Sequence, residues 1–235
     1  RKLLQGTASL EFWTTYENSE IFPYLAEANS ALAELVSVEE APATEVKDAV
    51  QAELDAQNAS VSEADRKANP LFSVLSPVGS QGRGACIGLA NAVDTAKVNA
   101  LLRQTKDIFP AEFRPMWSVK PSQYAAADNI YELIAIKASS RDGKAPLDGS
   151  AVTDARVAYD NQRGGSPSVS MTMNAEGANI WARLTKENIG KQIAIVLDGL
   201  VYSYPVVNGE ITGGNSQITG NFDIEEATDL TNVLK

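Results

Sequence analysis

The stretch from Gly190 to Lys235 constrains the fold most. Ile193-Ala-Ile-Val-Leu197 is a short continuous apolar run, the pattern of a strand covered on both faces. Asp198-Gly199 follows at once, and a second strand-like run extends from Leu200 to Val207. Asp-Gly between two such runs signals a tight hairpin, because a type I′ turn needs positive φ at both central residues. In the second run Leu200, Tyr202, Tyr204 and Val206 share one side. Pro205 donates no ladder bond, which predicts a sheet edge or a bulge there. Ile211 to Gly220 reads as a turn and a short strand. Asp223 then caps a helix, with Glu226 as its capping-box partner and Ile224, Ala227, Leu230 and Leu234 as its apolar face.

The rest of the chain alternates strands and helices. Ala8 to Thr15 alternates as a strand. Ser19 to Val38 carries Leu25, Ala28, Leu32 and Leu35 at helical spacing, and Thr44 to Ala56 reads as a second helix. Ser62 caps a short helical turn from Glu63 to Lys67. Leu71 to Leu75 and Gly84 to Leu89 read as strands. Asp94 is expected to cap a helix that runs to about Ile108, where Pro110 stops it. Met116 to Val119, Tyr131 to Lys137 and Val169 to Met173 are further strands. Asn174 caps a helix from Ala175 to Ile189, which Gly190 closes. The order in the carboxyl half predicts one antiparallel sheet with helices on one face, an α+β fold joined by the strand Ala8 to Thr15.

Composition excludes several functions. With 20 Lys+Arg against 30 Asp+Glu, the net charge of −10 repels nucleic-acid backbones. The one cysteine, Cys86, permits no internal disulfide and reads as a small core residue. The chain has no histidine, which removes the commonest general base and metal ligand and forbids Ser-His or Cys-His catalysis within it. No carboxylate pair stands out by its setting, so no catalytic, cofactor or metal residue is assigned. No apolar run approaches the ~20 residues that cross a bilayer.

The remaining motifs favour bland readings. Gly213 to Gly220 lacks the Gly-Lys-Ser/Thr ending of a phosphate loop. Asp160 to Ser166 has Arg163 in its middle and no closing glutamate, unlike a calcium loop. Trp13, Trp117 and Trp181 sit in strand or helix patterns and read as core. If one is exposed, Trp117 beside Phe113 and Pro115 is the expected contact for an unfolded chain.

Several motifs together carry a family resemblance. LDG-x-V-x-S-x-PV, ITGG, QITGNF and EEA-x-DL occur in that order between residues 197 and 230. Leu147 to Ala155, Val169 to Ala178, Glu187 to Lys191 and Leu4 to Phe12 add four more segments. The set resembles the first periplasmic domain of the SecD/SecDF family of Sec translocon accessory proteins. The resemblance implies a ferredoxin-like base, residues 1–20 and 129–235, and an inserted α+β head, residues 21–128. It implies binding of emerging unfolded preprotein, export driven by the proton motive force through head movement, and no enzymatic activity. Hinges are expected at Asn18, Ser19 and Glu20 and at Ala125, Ala126 and Asp128. The implied partners are preprotein, the Sec channel and SecF, in a bacterial inner-membrane parent with this part on the periplasmic side. Both ends are then expected to run into transmembrane helices, where the proton-carrying residues lie. The alternatives are a secreted carboxylate-based hydrolase or glycan-binding module, and a structural spacer.

Overall fold

The computed structural model describes residues 9–39, 63–78, 84–123, 125, 127, 129–160, 165–219 and 223–234. The larger sheet contains β1 (Leu10–Thr15), β2 (Ser76–Pro77), β3 (Cys86–Asn91), β4 (Phe113–Pro121), β5 (Ile130–Lys137) and β6 (Leu147–Asp148). The strands of the Asp198-Gly199 hairpin, Ile193–Leu197 and Leu200–Ser203, complete it; they are β9 and β10 after the smaller sheet's β7 (Val152–Asp160) and β8 (Ser166–Met173) are counted. Its order is β2-β3-β5-β4-β10-β9-β1-β6. A further pairing of β1 with β5, through Thr14↔Lys137 and Thr15↔Ile136, links the strands β5-β4-β10-β9-β1 into a ring.

The ring explains the burial. Trp13, Ile134, Ile136, Ala194, Val196 and Val201 fill its interior. As in other small barrels, side chains rather than solvent occupy the middle. The alternate residues of the same strands face outward and are covered as well. Leu133 and Ala135 of β5 meet helices α1 (Asn18–Glu39) and α3 (Thr95–Gln104), which precede and follow the short α2 (Glu63–Ala68). Leu10, Phe12, Ile193, Ile195 and Leu197 meet a carboxyl-terminal layer. Strands buried on both faces must be apolar at every position, which is why Ile193–Leu197 shows no alternation.

The carboxyl-terminal layer is a three-stranded antiparallel sheet, β11-β8-β7, with β11 spanning Asn215–Thr219. Helices α4 (Ala175–Glu187) and α5 (Ile224–Val233) share its core. Trp181 of α4 meets Phe12 edge to face at 5.3 Å and 60°. Burying Phe12 contributes roughly 2–3 kcal/mol by apolar area alone.

Much of the local chemistry matches the sequence. Asp198 (φ 49°) and Gly199 (φ 79°) form the turn with both central residues left-handed. Asn174 Oδ1 accepts the Gly177 N–H and starts α4, and Gly190 lies beyond its end at φ 79°. Asp223 and Glu226 form a reciprocal capping box on α5.

Other expectations need correction. The carboxyl half does not form one sheet: β9 and β10 join β1, whereas β7, β8 and β11 pair among themselves. The physical difference is burial, because β8 shows a half-covered pattern and β9 is buried throughout. Leu71 to Leu75 is not a strand. It is a helical turn in which Leu75 N–H donates to Leu71 C=O at 2.9 Å, and Asn29 Oδ1 accepts the Leu71 and Phe72 N–H groups at 3.1 and 3.2 Å. Buried leucines four apart fit that turn as well as they fit a short strand. Asp94 makes no side-chain cap on α3 and itself has helical angles, φ −94° and ψ −11°. Pro205 follows β10, which is flanked by β4 and β9 and bulges between Val201 and Ser203. The helix expected from Thr44 to Ala56 lies outside the described residues.

Candidate functional site

Helix α3 buries Val98 and Leu102 and turns Asn99 and Arg103 toward strand β4. A 3₁₀ turn, Lys106–Ile108, follows and places Lys106 beside them. Along β4, Phe113 and Trp117 pack toward the α1/α3 core, while Met116 packs toward the ring interior. Trp117 Nε1–H donates to Asn99 Oδ1 at 2.9 Å and fixes strand to helix. Phe113 stacks on buried Phe109 at 4.6 Å and 17°, and Tyr16 lies 6.4 Å from the Phe113 ring. Gly199 and Leu200 close one end of the resulting groove, whose volume is about 550 Å³. Leu200 is 41% exposed there, an apolar side chain held in solvent at the tip of a rigid turn.

The groove's charge runs against that of the chain. Its ionisable lining residues are Arg103, Lys106 and Arg114, with no carboxylate among them, in a protein of net charge −10. Arg114 Nη1 donates to Gly143 C=O at 3.1 Å, and its guanidinium lies 5.4 Å from the Trp13 ring centre. An aromatic floor with fixed geometry and cationic edges suits a large apolar side chain in an extended segment.

The structure thus places Phe113 and Trp117, the two expected contacts, in one groove. The expected hinge residues lie elsewhere. Asn18 begins α1, is buried, and donates its N–H to Gly84 C=O at 2.7 Å; its Oδ1 is buried without a partner. Ser19 and Glu20 are exposed, with Glu20 Oε2 accepting the Glu17 N–H at 2.8 Å. Ala125 is half-buried, and Ala126 and Asp128 lie outside the described residues. Sequence reading missed Asn99, Phe109, Arg103, Lys106 and Leu200. The density of aromatics and prolines from Phe109 to Trp117 was the available signal. The cationic edge was not legible, because its members come from a helix, a turn and a strand.

A second, polar pocket holds Glu20, Glu187, Lys137 and Lys191. Lys137 is engaged with Glu112 at 3.9 Å and with the Tyr16 ring at 5.3 Å. Burial, with Glu112 and Glu20 nearby, raises the Tyr16 pKa above the usual phenol value. Within the ring, Glu132 is buried and accepts the hydroxyls of Ser122 and Tyr204. Burial first, and Glu132 second, push the Cys86 thiol up to about 12, so it is no nucleophile at neutral pH. Among the described residues no cluster of acidic or cysteine side chains could hold a metal ion, and no helix is long and apolar enough to cross a membrane.

The fold and groove define a mixed α+β scaffold with a recessed apolar site. Comparison with known proteins supplies the family. The family model for the SecDF P1 head subdomain matches residues 134–235. SecD of Rhodothermus marinus is 40% identical over 247 residues, covering all of this chain and 37% of that protein. SecD of Leptotrichia buccalis is 50% identical over 93 residues, or 40% of this chain and 22% of that protein. A solved structure of SecDF, described as a membrane component that enhances protein export, aligns over 97% of this chain and 91% of that one, with 24% identity and a TM-score of 0.35. The chain is a relative of the SecD and SecDF translocase subunits, as its motifs indicated, and spans only part of their length. The head-subdomain model falls on residues 134–235, most of the segment assigned to the base from sequence.

Proposed function

We propose that this chain is the periplasmic part of an inner-membrane accessory subunit of the Sec translocon, and that its groove holds preprotein in extended form. The family supports the setting, with SecF and the channel as partners. The observation that carries the contact is the convergence of Phe113, Trp117 and Leu200 on one groove. Exposed apolar groups on a rigid frame bind unfolded chains reversibly, because each takes one side chain and few contacts are made at once. The role in this reading is non-enzymatic, as the SecD and SecDF relationship suggests.

The domain division and movement are part of the same reading. Residues 1–20 and 129–235 form a ferredoxin-like unit carrying the inserted residues 21–128, and the two move against each other during export under the proton motive force.

The test is binding of a fluorescently labelled, permanently unfolded polypeptide. Trp117→Ala and Leu200→Ser should each weaken it roughly five- to tenfold, the usual loss for a buried aromatic or apolar anchor. Leu200 is exposed, so its variant keeps the fold. Unchanged binding in both variants would reject the groove as the contact site.

A further inference from the structure

We infer that the groove selects extended segments in which a large apolar side chain is flanked by acidic residues. This rests on the reading of the groove as a preprotein site and adds the class of sequence it takes.

The argument is charge complementarity at a concave apolar surface. Arg103, Lys106 and Arg114 are the ionisable residues of the lining, and all three are exposed to solvent. Among the described residues no carboxylate forms an ion pair with Arg103 or Lys106. The nearest acidic groups in sequence do not neutralise them. Neither Glu112, which pairs with Lys137 at 3.9 Å, nor Asp198, whose Oδ1 accepts the Ser9 N–H at 2.8 Å, lines the groove. Asp107 is exposed but does not line the groove. Elsewhere the surface is dominated by the excess of 10 negative charges, which repels acidic segments from other parts of the molecule. The groove is therefore a local cationic site in a chain of net charge −10, and it attracts an acidic segment where a basic one is repelled. A concave groove of about 550 Å³ accepts a protruding side chain, which a flat lipid surface does not present.

Three unfolded peptides with one central Phe-Leu pair, flanked by Asp/Glu, by Asn/Gln or by Lys, test this by fluorescence anisotropy against the wild-type chain and Arg103→Glu/Lys106→Glu. Both substituted positions are exposed, and circular dichroism checks that the fold persists. The inference predicts that the acidic-flanked peptide binds roughly tenfold more tightly than the lysine-flanked one at low salt, that 0.5 M salt narrows the gap, and that charge reversal inverts the order. Equal binding of all three peptides, with loss of binding in Leu200→Ser, would overturn the charge selection and leave the preprotein site standing. Binding of none would overturn both. An order that survives charge reversal would place the selectivity outside the groove and overturn the inference, as would binding only to vesicles containing anionic lipid.

Discussion

Gly177 shows how one residue couples two motifs. A side-chain carbon at this position would lie 2.6 Å from the Ala151 Cβ and 3.3 Å from the Asn174 Oδ1 that caps α4. Gly177→Ala should therefore destabilise the carboxyl-terminal layer by about 1–3 kcal/mol, the range for overpacking a tight contact. Urea denaturation measures it, and an unchanged midpoint would show that the helix start shifts freely. Cys86 makes a prediction with a definite sign. Its folded pKa of about 12 lies above that of a free thiol. The stability it contributes is therefore whole below the unfolded value of ~8.5 and is lost as pH rises toward 12. Denaturation between pH 8 and 10 should show a decline that Cys86→Ala lacks, and the native thiol should resist alkylating reagents at pH 8. Tyr202, raised to about 12 by burial and then by Glu226, adds to the decline only above the ordinary phenol range.

At the scale of elements, what the sequence carried was local chemistry. Asp198-Gly199, Asn174 and the Asp223–Glu226 box each act within a few residues, so their roles were readable and their positions came out as expected. Asp223→Ala should cost about 1 kcal/mol, the usual worth of a cap, and lower the melting temperature measured by circular dichroism. Partner choice was not readable. β8 alternates apolar and polar residues and β9 is apolar throughout, but neither pattern names the neighbours that place one in the smaller sheet and the other in the ring. The turn Leu71 to Leu75 misled for a related reason. Two buried leucines four apart satisfy either period over so short a span, and the deciding contact comes from Asn29, 42 positions away. In the groove the aromatic half was visible in one stretch, from Phe109 to Trp117. The cationic half needed the fold to bring α3, the 3₁₀ turn and β4 together.

At the scale of the molecule, the ring of strands is the organising feature. It places a packed interior between two outer layers, one on α1 and α3 and one on the smaller sheet with α4 and α5. The groove opens where α3 and β4 approach the turn of the β9–β10 hairpin, so it draws on residues 99–117 and on the carboxyl-terminal half. In the proposed reading, in which residues 21–128 move against the rest, such a site changes shape with that movement, which connects binding to export. The most direct test is site-specific photo-crosslinking in cells, from positions 117 and 200 of the full-length protein to a preprotein arrested during export. Position 156, on the exposed polar face of the smaller sheet, is the control. The account predicts adducts with the arrested preprotein from 117 and 200 and none from 156. Adducts from 156 alone, or equal adducts from all three positions, would contradict it.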